Sequence, residues 1–310
     1  MELIRDCDSL HKQYAGAALT VGNFDGVHLG HQRILGEVVR AARATTTSAV
    51  AFTFEPHPAA ILHPDKAPPR LLGFQQKLDL FESLGIDVVV CPEDGREILQ
   101  LDAETFVRRI MVDGVGAAVI VEGPGFRFGH RQRGDEAMLR RMGPEHGFAV
   151  QVVDAMLFGD APVSSTRIRE AVAAGRVGDA LKMLGRPFEF DGVVAHGHGR
   201  GSGLGYPTIN VAGGDFLVPG DGVYVGWATL PAGTFAAAIS VGRAPTFHDV
   251  ERSVVEAYLL DFQGQAYDQE VRLQFVARLR EQRAFRDGRA LGNQIADDCR
   301  AVRALLGRSP

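Results

Sequence analysis

Apolar and polar positions alternate in two different rhythms along the chain. Up to about residue 184, short β-branched runs, AALTV (17–21), SAVAFTF (48–54), IDVVV (86–90), GAAVIV (116–121) and FAVQVV (148–153), are separated by stretches with helical spacing. Those stretches start at about 30 and recur near 74–84, 103–112 and 135–146. This βα rhythm predicts a parallel sheet covered on both faces by helices. After MLGRPFEFDG (183–192) the pattern changes to strand-like runs divided by Gly-rich turns, at 186–195, 206–211, 222–230, 234–241, 253–261 and 268–277. One long helical stretch, about 287–306, follows. Six short strands at that spacing predict a small closed barrel, which leaves no strand edge exposed. The expected architecture is α/β plus β: a Rossmann-like, doubly wound parallel sheet in residues 1–184, then a six-stranded antiparallel β-barrel with a terminal helix in residues 185–310.

Composition narrows the partners. The 310 residues are 45% apolar and 23% charged, an ordinary soluble balance. A formal charge of −5, without long single-sign runs, favours neither nucleic acid nor an anionic membrane surface and leaves small molecules as the expected partners. Cys7, Cys91 and Cys299 are widely spaced and form no C-x-x-C, which argues against a disulfide framework and a thiolate metal site and fits a reducing cytoplasm. The first 20 residues carry Glu2, Arg5, Asp6, Asp8, His11 and Lys12, and no 18-residue apolar run follows, so neither export nor a membrane span is expected. Self-association is left open.

A doubly wound sheet binds ligands at the carboxyl ends of its strands, and there GNFDGVHLGH (22–31) follows LTV. Gly22, Asn23, Phe24, Asp25 and Gly26 would form the turn, with His28 and His31 flanking Gly30 in the first turn of the next helix. Imidazoles at i and i+3 share a face and point toward the helix N-terminus, where free N–H groups and the dipole favour an anion such as phosphate. A bare H-x-x-H would serve a capped turn with solvated or metal-binding histidines equally well; the ten-residue string favours phosphate. In VSSTRIREAV (163–172), Ser164, Ser165 and Thr166 would cap a helix whose first turn carries Arg167 and Arg169. Cations there oppose the dipole unless an anion neutralises them, although a capped surface helix with solvated arginines fits this stretch alone.

Three further strings are candidates. TFEPHP (53–58), with Phe54, Pro56 and Pro58, ends a strand in a rigid turn, and GFRFG (125–129) places Phe126 and Phe128 two apart. VVAHGHGRGSGLGYPTINV (193–211) carries Gly197, Gly199, Gly201, Gly203 and Gly205, then Pro207, with Thr208 and Asn210 on one strand face. It is not a Walker A loop, but its backbone N–H groups could approach a phosphate. In SVVEAYLLDF (253–262), Glu256 stands in an apolar strand and must be solvated or paired.

Together these strings resemble the bacterial bifunctional riboflavin kinase/FAD synthetases, and the match runs through nearly the whole chain in the expected order. The resemblance implies that His28 and His31 bind ATP phosphates and stabilise attack on the α-phosphoryl group. It implies that the S-S-T-x-x-R element, ending at Arg169, closes over those phosphates, and that Phe54, Pro56, Pro58, Phe126 and Phe128 surround the flavin. In the barrel it implies a glycine loop on ATP, Mg²⁺ held by Thr208 and Asn210, and Glu256 as the base that takes the proton of the riboflavin 5′-hydroxyl. Riboflavin, FMN and FAD would be substrates and products, with ATP as co-substrate. Two positions depart from the family: Gly125 stands where Asp or Asn is usual, and Ser202 where Arg is frequent. The residues alone leave room for another acceptor of AMP with a regulatory barrel, or for a nucleic-acid-binding barrel, which the acidic balance disfavours.

Overall fold

Ten strands lie in the N-terminal half, the central ones buried on both faces. They are β1 (Glu2–Ile4), β2 (Ala17–Val21), β3 (Ala49–Phe52), β4 (Val88–Val90) and β5 (Ala117–Glu122), followed by the ribbon β6 (Arg127–Phe128) and β7 (Gly134–Asp135), β8 (Ala149–Val152), and the hairpin β9 (Leu157–Phe158) and β10 (Ala161–Pro162). The computed structural model describes residues 1–196, 206–244 and 252–307. Within them the chain forms two units, Met1–Pro68 with Gly73–Ser164, and Pro69–Leu72 with Ser165–Pro310.

In the first unit six strands pair in the order β1-β4-β3-β2-β5-β8, every pair parallel. All residues of β2, β3 and β4 are buried, as expected of a parallel sheet covered by helices. The helices are α1 (Leu29–Thr45), α2 (Pro58–Leu62), α3 (Phe74–Ser83), α4 (Gly95–Gln100), α5 (Ala103–Phe106) and α6 (Glu136–His146). The helix expected at 103–112 is α for one turn and continues as a π-helix over Val107–Val115, its buried residues Val107, Ile110, Met111 and Val115 joining the core around Phe52 and Phe106. Chain order runs outward from β2 through β3 to β4 and then resumes on its other side at β5. The sheet therefore reverses direction between β2 and β5, the position where such folds open a crevice.

The second unit begins with α7 (Ser165–Ala173) and α8 (Val177–Leu184). The apolar side of α8, with Val177, Ala180, Met183 and Leu184 buried, packs on strands β11 (Phe188–Ala195) and β16 (Glu270–Arg280). With β12 (Thr208–Ala212), β13 (Gly222–Leu230), β14 (Gly233–Ala244) and β15 (Arg252–Leu259), these close an antiparallel barrel in the order β11-β12-β15-β14-β13-β16. The stretch Pro69–Leu72 joins this unit through a β-bridge: Arg70 N–H donates to Asp215 O at 3.0 Å, and Leu217 N–H to Arg70 O at 2.9 Å. Helix α9 (Gly288–Leu306) lies against β13 and β14, where Cys299 and Val302 meet Val225, Ala236 and Ala238. Arg280 fixes it further, its guanidinium donating to both oxygens of the buried Asp298 carboxylate at 2.7–3.2 Å. No helix of the described residues is long and apolar enough to cross a membrane.

Candidate active sites

The turn between β2 and α1 is built from unusual backbone. Phe24, Gly26 and Val27 take φ of 49°, 81° and 36°, in the left-handed region that a β-branched valine enters only under strain. Burial holds Val27 there: its side chain is fully enclosed, its N–H donates to Phe24 O at 3.0 Å, and its carbonyl accepts from the Gln32 amide at 2.8 Å. The result corrects one detail of the sequence reading. His28 is the N-cap of α1, not a residue of its first turn, and its Nδ1 accepts the His31 N–H at 3.2 Å. Accepting at Nδ1 leaves the proton of the neutral ring on Nε2.

The His28 and His31 rings stack with centroids 3.5 Å apart, 17° from parallel. Gly30 permits this, since a Cβ at that position would come within 3.1 Å of the His28 ring. His31 also meets the edge of Phe24 at 5.3 Å. Burial first, then the neighbouring His28 and Lys77, hold the His31 pKa well below the usual histidine value, so this ring is neutral near pH 7. Its Nδ1 has no hydrogen-bond partner among the described residues.

Beside the pair, a cavity of about 350 Å³ opens at the carboxyl ends of β2 and β5. Gly22, Asn23, Phe24 and His31 line it from the turn, Phe54 and Pro58 from the end of β3, and Gly125, Phe126 and Phe128 from the segment after β5. Phe126 and Phe128 stack at 5.4 Å. Pro56, in a cis peptide with Glu55, does not line the cavity. Gly125 has φ 74°, and a Cβ there would meet nothing within 4 Å, so the position usually polar in the family faces open space.

Three residues near this cavity went unread in the sequence. Glu122, 3% exposed at the end of β5, lines it and accepts the Val21 N–H at 2.9 Å; burial raises its pKa well above the usual glutamate value. His57 caps α2 through Nδ1 on Ala59 N–H and places Nε2 3.3 Å from the Asn23 amide. Lys77 lies beneath the turn, its Nζ donating to Asn23 O. A lone charge inside an apolar run was the available signal for Glu122.

The serine-rich element straddles the two units. Ser164 ends the first, while Ser165 and Thr166 open α7, which carries Arg167 and Arg169. Arg169 Nε donates to Pro69 O at 2.9 Å, within the second unit.

On the barrel, Thr208 and Asn210 lie on β12 opposite Tyr258 and Glu256 of β15, and Glu256 is flanked on its other side by Ser240 of β14. Asn210, Glu256 and Ser240 thus form one row across three strands, on the face opposite the buried Val211, Val255, Ala257 and Ile239. Ser240 was not foreseen; Gln282 holds it with a 2.8 Å bond. Tyr206 and Tyr258 meet edge to face at 5.3 Å beside the row, and Pro207 immediately precedes β12. Gly197, Gly199, Gly201, Ser202, Gly203 and Gly205 lie outside the described residues. Among the described residues no group of three or more His, Cys, Asp or Glu side chains is arranged to hold a metal. The Thr208 hydroxyl and Asn210 amide oxygen beside Glu256 are instead the sparse, all-oxygen donor set that suits Mg²⁺, an ion that keeps most of its ligands from water and phosphate.

Comparison with known proteins finds a separate family match in each part of the chain. Residues 10–167 match the FAD synthetase family model, and residues 184–306 match that of riboflavin kinase. A bifunctional riboflavin kinase/FMN adenylyltransferase of Pseudomonas fluorescens is 35% identical, covering 100% of this chain and 99% of its own. The protein of that name from Escherichia coli K12 is 32% identical, with 99% and 98% covered. A crystal structure from Streptococcus pneumoniae, described as a macrolide-efflux protein, shares the fold with a TM-score of 0.86 at 27% identity, over 97% of this chain and 98% of that one. The chain belongs to the bifunctional riboflavin kinase/FMN adenylyltransferase family, with its FAD synthetase part first and its riboflavin kinase part second.

Proposed function

We propose that the barrel phosphorylates riboflavin with ATP to give FMN, and that the N-terminal domain, bounded near residue 184, transfers AMP from a second ATP to FMN, releasing pyrophosphate and FAD. The observation that carries the reading is the single cavity into which the histidine turn, the Phe54–Pro58 turn and the Phe126–Phe128 pair all project.

In the adenylyl transfer the protein supplies position and charge rather than a nucleophile. ATP phosphates would rest on the turn from Gly22 to Asp25 and the N-terminus of α1, with His28 donating from Nε2 and neutral His31 donating beside it. Both are hydrogen-bond donors to the charge that develops on the α-phosphoryl oxygens as the FMN phosphate attacks and pyrophosphate leaves. Ser164, Ser165 and Thr166 would donate hydrogen bonds to the phosphates, and the Arg169 guanidinium would offset the charge of the departing pyrophosphate. Phe54, Pro58, Phe126 and Phe128 would receive the flavin, with Pro56 shaping the turn between Phe54 and Pro58 rather than touching the flavin.

In the kinase half, Glu256 would take the proton from the riboflavin 5′-hydroxyl as its oxygen attacks the γ-phosphorus. Thr208 and Asn210 would hold Mg²⁺, which when bound neutralises phosphate charge, and the glycine-rich loop ending at Pro207 would cover the ATP. Small molecules are the only partners this reading requires, and a cytoplasmic setting suits it. The test is a chromatographic time course of flavins after mixing the protein with riboflavin, ATP and magnesium. FMN followed by FAD is expected; a persistent absence of either product removes the corresponding half.

A further inference from the structure

Lysine is among the side chains least often buried, because its ammonium loses more hydration than its stem gains by burial. Lys77, on α3, is nevertheless only 4% exposed. Its Nζ donates to the carbonyl of Asn23 at 3.1 Å and to that of Phe54 at 3.4 Å, and stands 3.7 Å from a Glu55 carboxylate oxygen. These acceptors belong to two turns far apart in sequence. Asn23 opens the turn that ends at His28, while Phe54 and Glu55 open the turn that ends at Pro58, and each turn forms one wall of the cavity. The Thr53 hydroxyl adds a second tie, reaching the same Asn23 carbonyl at 3.3 Å.

Two carbonyls and a carboxylate around one buried ammonium make a joint with little play, since each charge-assisted bond is stronger than a neutral one. We propose that Lys77 is a positioning residue for adenylyl transfer: it clamps the histidine turn to the Phe54–Pro58 turn. The proposal rests on the reading of the first unit as the FMN adenylyltransferase. The groups bearing on His31 are His28, stacked on it from the helix cap, and Lys77 from α3; Glu55 in turn faces Lys77, and Asp25 lies in the same turn as His28. Positive charge at Lys77 opposes protonation of His31, so the clamp and the donor state of the ring are linked.

The experiment compares the full-length protein with Lys77→Met and Lys77→Arg, measuring kcat and KM for FAD formation from FMN and ATP between pH 5 and 9. FMN formation from riboflavin by the same preparations serves as the control. For Lys77→Met the clamp predicts a kcat for FAD formation lower by a factor on the order of ten to a hundred, the scale of loss from slight misplacement of reacting groups. KM should change little, and the acidic limb of the profile should move to higher pH because His31 protonates more readily. Lys77→Arg, which keeps the charge, should keep the acidic limb where the wild type has it. FMN formation should be unchanged in both. Wild-type kcat with an unmoved acidic limb in Lys77→Met overturns the proposal. If Lys77→Met does not fold, Glu55→Gln decides: with the Lys77–Glu55 contact weakened, kcat for FAD formation should fall with KM little changed, and a wild-type kcat overturns the proposal. Absence of FAD formation in the wild type would instead sink the underlying assignment of the first unit.

Discussion

The imidazoles of His28 and His31 lie face to face, 3.5 Å between centroids, at the N-terminus of α1. Burial is the main cause of the low His31 pKa, and the stacked His28 and then Lys77 lower it further, since two rings this close cannot both carry charge cheaply. In the proposed reaction the pair acts through N–H donors, and the cap formed by His28 places the proton of its neutral ring on Nε2.

Removing one member of that pair separates the two activities. His28→Ala should lower FAD formation by a factor on the order of a hundred or more, the usual loss for a transition-state donor, with FMN formation from riboflavin intact. Glu256→Gln should do the reverse when FMN is supplied. Flavin chromatography on both variants checks this, and loss of both activities from either folded variant would mean the sites are not separate.

Glu122 links stability to pH. Its pKa is raised by burial in the folded chain, so the unfolded chain releases this proton first as pH rises. The contribution of Glu122 is thus most favourable below the ordinary glutamate pKa of 4.5 and declines as pH climbs toward the folded value. Glu122→Gln removes that dependence, so its melting temperature relative to the wild type should rise between pH 5 and pH 8. Parallel thermal melts at the two pH values test this, and a constant difference would contradict it.

Position 125 can be returned to a polar residue. Its φ of 74° suits Asn better than most side chains, and a Cβ meets open space, so Gly125→Asn should fold with a stability loss of about 1 kcal/mol. An added hydrogen bond worth about 1 kcal/mol should lower KM for FMN roughly fivefold. Steady-state kinetics with varied FMN gives the answer; an unchanged KM would place the side chain away from the substrate.

Asp298 anchors α9 to the barrel. Asp298→Ala leaves the Arg280 guanidinium, only 20% exposed, without its carboxylate, and breaking such a pair costs about 3 kcal/mol or more. Urea unfolding followed through the barrel's Trp227 should show the loss, and FMN formation should fall with it because α9 covers the strands next to the Glu256 row.

The sequence made the buried strands legible because β2 to β5 are apolar on both faces and need no partner to declare themselves. Helices α1, α3 and α6 were equally visible from their spacing. β1 was not: two of its three residues are exposed, and only pairing with β4 makes it a strand. The short α2 and α4 depend on caps from His57 and Asp94, a local signal too weak to stand against their length. In the sites, the histidine motif announced itself as a candidate. The capping role of His28 did not, since of the three positive-φ residues before it only Gly26 advertises that conformation. Lys77 looked like one charge in a helical pattern, and its burial follows from two turns brought over it. The adjacency of Asn210, Glu256 and Ser240 is a matter of strand register, which no stretch of sequence contains by itself.

The stretch Pro69–Leu72 gives synthesis an order. A ribosome delivers these four residues while every strand of the barrel is still unmade, yet their backbone partners are Asp215 and Leu217. The bonds to Asp215 and Leu217 cannot form until those residues emerge, so the second unit is completed by residues translated long before its own strands. Dividing the gene between the two activities therefore parts this segment from its barrel: a fragment starting at Ser165 or later lacks one side of the bridge, and supplying Pro69–Leu72 on a separate peptide would cost the entropy that one continuous polypeptide avoids.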